Sequence, residues 1–186
     1  MPGKLFIISG PGGSGKTTLA CMIAKALHNF QQSISTTTRA PRPGEVDGTD
    51  YNFVTKADFK KKIEAGAFIE HAEVFGNWYG TEKNLVFSAL NAGKHVILVI
   101  DVQGALEVKK QLDAVSIFIS PPSLDVLKKR LELRKAGEEE MTRRLKAAGA
   151  EMKMAGNYDY QLVNDDLGAA FEQLKEIFIR EGESCT

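Results

Sequence analysis

Apolar residues along this chain fall into short unbroken runs, set between longer stretches where they recur at helical spacing. The first run, Leu5-Phe-Ile-Ile8 after Lys4, shows no polar alternation and is short, the pattern of a strand buried on both faces. Helical character then extends from Thr17 to Leu27. A second run, His95-Val-Ile-Leu-Val-Ile100, ends at Asp101 and leads into an amphipathic stretch reaching about Leu112. A third, Ala114-Val-Ser-Ile-Phe-Ile119, stops at Pro121-Pro122. Strands alternating with helices predict an α/β fold, with a parallel sheet core flanked by helices.

Between the first two units the pattern changes. Ser33 to Arg42 is rich in Ser, Thr and Arg, and Pro41-Arg-Pro-Gly44 marks a turn. This segment reads as an inserted lobe, with a helix-like stretch from Lys56 to Ala65, a short apolar run Ala67-Phe-Ile69 and the segment Gly76-Asn-Trp-Tyr-Gly80. Thr55 and Asp58 resemble a capping box at the start of that helix, with Asp in place of the usual Glu or Gln. After Pro122 a helix is expected from Ser123 through Leu133, broken at Lys135-Ala-Gly137. Glu138-Glu-Glu140 opens the next helix, acidic where the helix dipole favours it. Leu162-Val163 reads as a last short strand, Asn164-Asp-Asp166 as a cap region, and Leu167 to Ile179 as a closing helix.

The chain has 186 residues, which suits one domain with its own core. Its 24 basic and 24 acidic side chains cancel, so there is no overall basic field for binding nucleic acid, and any anion site must be local. Cys21 and Cys185 form no C-x-x-C pair, as expected in a reducing compartment. No apolar run is long enough for a membrane span or a signal segment; the expected location is the cytoplasm. His28, His71 and His95 lack ligand-type spacing and read as surface or packing residues.

The chemistry starts at Gly10-Pro11-Gly12-Gly13-Ser14-Gly15-Lys16-Thr17, which matches G-x-x-x-x-G-K-[ST] between a buried strand and a helix. Glycines let backbone N–H groups turn inward around phosphate oxygens, and the helix N-terminus adds partial positive charge. Lys16 is placed to reach β/γ oxygens, and the Thr17 hydroxyl to ligate Mg²⁺. Such a cradle specifies a nucleotide phosphate without specifying the acceptor.

The acceptor is suggested by the next residues. Ser33-Ile-Ser35-Thr-Thr-Thr38-Arg39-Ala-Pro-Arg42-Pro-Gly-Glu45, with Asp47-Gly48 and Asp50-Tyr51-Asn-Phe53, resembles the GMP-binding segment of guanylate kinases. Phe68-Ile-Glu70, Tyr79-Gly80-Thr81, Ile100-Asp101-Val-Gln-Gly104, Lys129-Arg130-Leu131 and Val163-Asn164-Asp-Asp166-Leu167 resemble further blocks of that family, in the same order. The resemblance spans nearly the whole chain. It implies a P-loop kinase with a core (1–33 and 82–186), a GMP-binding lobe (34–81) and a helical lid (about 130–146).

The resemblance also implies roles. Arg39, Arg42, Tyr51 and Tyr79 would hold the GMP phosphate, as two forked cations and two hydroxyl donors suit a monophosphate. Glu70 and Asp101 would accept from the N1–H and the exocyclic N2 amine that guanine carries and adenine lacks, with Ser35 and Thr81 as the matching hydroxyls. Gly10 through Thr18, with Arg130 and Asn164, would bind ATP. Lys16, Arg39, Arg130, Arg134 and Arg144 would stabilise the transferred phosphoryl group, with Mg²⁺ as cofactor. Because the GMP phosphate has a second pKa of about 6, direct in-line transfer needs no strong general base. Two departures stand out: Val99 occupies a position where the family commonly has an acid, and the segment from Arg134 to Arg144 is slightly shorter than the family pattern.

Two other readings remain at this point. Guanylate-kinase-like modules of scaffolding proteins bind phosphopeptides and typically lose the ATP cradle, which is intact here. Another small-molecule kinase on this fold, such as one acting on a ribose bisphosphate precursor, would leave Glu70, Tyr51 and Tyr79 together without a purpose. Oligomeric state and tolerance of dGMP are left open by the sequence.

Overall fold

The computed structural model describes residues 2–133 and 137–183. Five strands form a parallel sheet: β1 (Leu5–Ser9), β2 (Phe30–Gln32), β7 (His95–Val99), β8 (Val115–Ser120) and β9 (Tyr160–Val163), in the order β2-β7-β1-β8-β9. Around it lie helices α1 (Lys16–Ala26), α3 (Lys83–Asn91), α4 (Val102–Gln111) and α7 (Leu167–Glu183). The unbroken apolar runs are explained by burial on both faces. Along β1, Phe6 and Ile8 pack with Leu19, Ile23, Leu174 and Phe178 from α1 and α7. Leu5 and Ile7, one residue out of step, pack on the other side with Val86, Val102, Ala105 and Val108 from α3 and α4.

A second, four-stranded sheet in the order β4-β3-β6-β5 comprises β3 (Thr36–Thr37), β4 (Asn52–Phe53), β5 (Phe68–Val74) and β6 (Asn77–Glu82). Helix α2 (Lys56–Glu64) packs on it through Phe59, which stacks on Phe68 with ring centroids 4.6 Å apart. The Thr55 hydroxyl caps α2 by accepting from the Asp58 N–H (3.1 Å). It also donates to the Asp58 carboxylate (2.7 Å), so the pair interacts through its side chains. On β6, Trp78, Gly80 and Glu82 alternate with Tyr79 and Thr81, which face the opposite side. The pairing of β5 with β6 is irregular between Phe68 and Glu70, which sets Phe68 against Glu82 and Glu70 against Thr81. Such a bulge re-aims a side chain; here that side chain is Glu70.

Helices α5 (Leu124–Leu133) and α6 (Glu138–Met152) pack on each other through Leu127, Leu131 and Ala148. The loops after β1, β7, β8 and β9 all leave the carboxyl ends of the parallel strands, where open α/β sheets place their ligands. The short strands β2 and β3, the helix α3 and the extension of the Ala67-Phe-Ile69 run to Val74 are additions to the sequence reading.

Candidate active site

The turn after β1 holds Gly10 at φ 133° and Gly15 at φ 97°. Neither has room for a side chain: a Cβ on Gly10 would lie 2.1 Å from the Ile119 carbonyl oxygen, and one on Gly15 would lie 2.2 Å from Asn164 Nδ2. Lys16 reaches back across the loop, its Nζ donating to the carbonyl oxygens of Gly10 (2.6 Å) and Pro11 (2.9 Å). Thr17 and Thr18 are exposed on the first turn of α1. That turn has no acidic residue and no side-chain cap, so its N–H groups and dipole favour an incoming anion.

Asn164, at the end of β9, joins the cradle to α5. Its Nδ2 donates to the carbonyl oxygen of buried Ser14 (2.7 Å), while its own carbonyl oxygen accepts from Arg130 Nη2 (2.9 Å). A cleft of about 340 Å³ opens here, lined by Gly13, Gly15, Thr18, Arg130, Asn164 and three residues to which the sequence reading gave no role, Leu133, Asp165 and Leu167. Leu133 is 85% exposed on its rim.

The four residues expected around an acceptor phosphate divide into a packed trio and an exposed arginine. Arg39 Cζ lies 5.2 Å from the Tyr51 ring centroid, and the Tyr51 and Tyr79 rings are 6.0 Å apart in an edge-to-face arrangement. Arg42 is exposed. Glu45, to which the sequence reading gave no role, ties them together: it accepts both bonds of the Arg39 Nη2 group (2.8 and 2.9 Å) and the Arg42 backbone N–H (2.7 Å). Partial burial works to raise the Glu45 pKa, but the Arg42 N–H and the Arg39 guanidinium outweigh it and hold the carboxylate below its usual range. Burial raises the Tyr51 hydroxyl above its ordinary value, with Tyr79 adding to the effect.

Of the residues expected around a purine base, Glu70, Thr81 and Asp101 meet where the second sheet touches the core. Glu70 is 7% exposed and accepts a 2.6 Å hydrogen bond from Thr81 Oγ1. Asp101 caps α4, its Oδ1 accepting from the Gly104 N–H (2.8 Å). Gly104 is glycine for a reason of space, since a Cβ there would lie 2.6 Å from Glu70 Oε2. Burial pushes the Glu70 carboxyl up to about 7, with the neighbouring charge of Asp101 adding to it and the Thr81 bonds opposing it. Ser35 is half-buried just ahead of β3, its carbonyl oxygen accepting from the Asn52 N–H (2.9 Å).

From α6, Arg144 reaches the rim of the cradle, where Nη1 lies 3.9 Å from the position of a Cβ on Gly12. Arg143 and Arg144 both lie over the ring of Phe75 at the end of the β5–β6 hairpin. Arg134 lies outside the described residues. Glu151, near the end of α6, is an acid that the sequence reading passed over. Burial raises its pKa, the proximity of Lys16 opposes the rise, and Asp101 reinforces it.

A glycine-lined anion cradle at the carboxyl end of a parallel sheet, with basic residues arriving from a helical pair, defines a P-loop kinase. Comparison with known proteins narrows the class. The family model for guanylate kinase matches residues 2–181. A guanylate kinase from Protochlamydia amoebophila is 47% identical over 180 residues, covering 96% of this chain and 91% of the relative. Another, from Hydrogenovibrio crunogenus, is 46% identical over 187 residues, covering 100% of this chain and 91% of the relative. The crystal structure of guanylate kinase from Anaplasma phagocytophilum superimposes with a TM-score of 0.82 at 36% identity, covering 98% of this chain and 87% of that one. The chain belongs to the guanylate kinase family.

Proposed function

We propose that this protein transfers the γ-phosphoryl group of ATP directly to GMP, giving ADP and GDP. The observation that carries this reading is the buried Glu70–Thr81 pair beside Asp101, on the same face of β6 as Tyr79 of the arginine–tyrosine trio. A carboxylate in that position accepts from two guanine donors, and the trio offers its cation and hydroxyls to the monophosphate. An adenine base would leave these buried acceptors unpaired, at about 1–3 kcal/mol for each lost partner.

In this reading residues 34–81 are the GMP-binding lobe, the remainder is the core, and about 130–146 is the lid. Backbone N–H groups of Gly10 to Thr18 hold the ATP phosphates, and Lys16 exchanges its loop carbonyl partners for β/γ oxygens. Asn164 borders the adenine side of the cleft, and Arg130, which bonds its carbonyl oxygen, joins the ATP site from α5. Arg39, Arg130, Arg134 and Arg144 neutralise the charge that spreads over the transferred group, while Arg42, Tyr51 and Tyr79 keep the acceptor oxygen in line. Ser35 completes the base site. The exposed Thr17 hydroxyl is a hard oxygen donor that fits Mg²⁺, an ion that keeps most of its shell as water and phosphate oxygen; bound there, it would neutralise β/γ charge. With the second ionisation of GMP near neutrality, no side chain has to remove a proton.

No helix among the described residues is long and apolar enough to cross a membrane. We assign the enzyme to the cytoplasm, acting on ATP and GMP without nucleic-acid or membrane partners. The test is to supply Mg-ATP with GMP, AMP, UMP or CMP and follow ADP and the nucleoside diphosphate. GDP formation confined to GMP supports the reading. Turnover on another acceptor overturns the substrate, and absence of turnover with GMP or phosphopeptide binding retained overturns the activity.

A further inference from the structure

The β5–β6 hairpin closes with two residues, Phe75 and Gly76, between paired Val74 and Asn77. Their φ values are 51° and 80°. Positive φ at both central positions is the type I′ turn, which strongly prefers Asn or Asp followed by Gly. Phe75 is the one non-glycine residue with positive φ among the described residues. A bulky aromatic there is strained, and it is also 38% exposed, so burial in its own lobe does not account for its presence.

What it does contact is the helical pair across the site. The guanidinium carbons of Arg143 and Arg144 lie 5.0 and 5.4 Å from its ring centroid, within cation–π range. Arg144 is also paired with Glu140 one turn earlier on α6, and its Nε is buried without a hydrogen-bond partner in the structure. The same side chain places Nη1 at the rim of the phosphate cradle above Gly12. One arginine therefore touches both the tip of the second sheet and the mouth of the ATP site.

We infer that Phe75 is a positioning residue that couples the two nucleotide sites. The second sheet carries the hairpin tip, and the ring of Phe75 seats Arg143 and Arg144 so that Arg144 points at the cradle. Occupancy of the acceptor site then favours the lid arrangement that binds ATP, and by reciprocity ATP favours GMP. The strained turn is retained because the contact requires an aromatic face at the tip. This inference rests on the ATP and GMP reading above.

The test measures binding of adenosine 5′-(β,γ-imido)triphosphate with Mg²⁺ by calorimetry, with and without GMP, in the wild type and in Phe75→Asn, Phe75→Ala and Phe75→Trp. The GMP-induced gain in affinity is expected to fall about three- to tenfold in the Asn and Ala variants and to be kept in the Trp variant. GMP affinity measured alone is expected to stay the same in all of them. Phe75→Asn relieves the turn and is expected to raise Tm by about 2–4 °C, so a loss of coupling in that variant is not a folding defect. Unchanged coupling in Phe75→Asn overturns the inference, as does a loss of GMP affinity alone that matches the loss of coupling. Wild type that binds neither nucleotide overturns the kinase reading instead.

Discussion

Thr81 Oγ1 donates a 2.6 Å hydrogen bond to Glu70 Oε1 in a buried contact between β6 and β5. That bond favours the ionised carboxylate, yet burial and Asp101 outweigh it and bring the pKa to about 7. The acid therefore changes its charge near neutrality. Ionised Glu70 is the form that accepts from guanine, so KM for GMP should rise about tenfold between pH 8 and pH 6 in the wild type. The phosphate of GMP titrates in the same region in every variant. Steady-state kinetics of wild type and Glu70→Gln across this range isolate the side chain: a flat ratio would remove Glu70 from the base site.

The same shift has a stability consequence of opposite sign. Raised from 4.5 to about 7, the native carboxyl holds a proton that the unfolded chain has released. Its contribution is whole below about pH 4.5 and is lost as pH rises through 7. Glu70→Gln should therefore stabilise the fold at pH 8, by up to about 3 kcal/mol, while weakening selection of GMP over AMP. Thermal melts at pH 5 and pH 8 check this; the gain should be present at pH 8 and small at pH 5.

Gly104→Ala pushes a methyl group to within 2.6 Å of Glu70 Oε2. The carboxylate, being the movable partner, shifts away from the base. KM for GMP is expected to rise about tenfold with KM for ATP unchanged. Parallel kinetics on the two substrates separate this outcome from general damage to α4.

Arg39 donates from Nη2 to both carboxylate oxygens of Glu45 and holds its guanidinium over Tyr51. Arg39→Ala should lower kcat/KM for GMP about 100-fold, and Arg39→Lys should recover little, because a point charge cannot span two oxygens. Recovery by Lys would show that charge alone suffices.

Lys16→Ala should cut kcat by at least about 100- to 1000-fold while circular dichroism and Tm stay near wild type, since Nζ donates to the loop carbonyls of Gly10 and Pro11 at the cradle. GDP formation at near-normal rate would remove Lys16 from the reaction.

How far the fold is legible in the sequence depends on where burial leaves a pattern. β1, β7 and β8 announce themselves because both of their faces are covered. Helix α3 does not: of its residues Val86 is buried, while Leu85 and Phe87 are 48% and 38% exposed, so no clean apolar stripe forms. β2 and β3, with three and two residues, exist by pairing to neighbours and carry no periodicity of their own. The site divides in the same way. Lys16, Arg39 and Glu70 stand in blocks of residue types that state their chemistry. The parts played by Glu45, Gly104 and Phe75 follow from three-dimensional proximity: a fork that needs a partner, a missing Cβ and a strained turn are invisible before the chain is folded.

Tyr79 and Thr81 stand two residues apart on one face of β6, a separation of roughly 7 Å set by the strand itself. In the proposed reading the strand is thus a ruler laid along the acceptor, with Tyr79 as the mark for the phosphate and Thr81 as the mark for the base. Because both marks lie on one strand, any movement of the second sheet would carry them together and leave the length constant. A nucleoside lacking its phosphate would meet only one of the two marks.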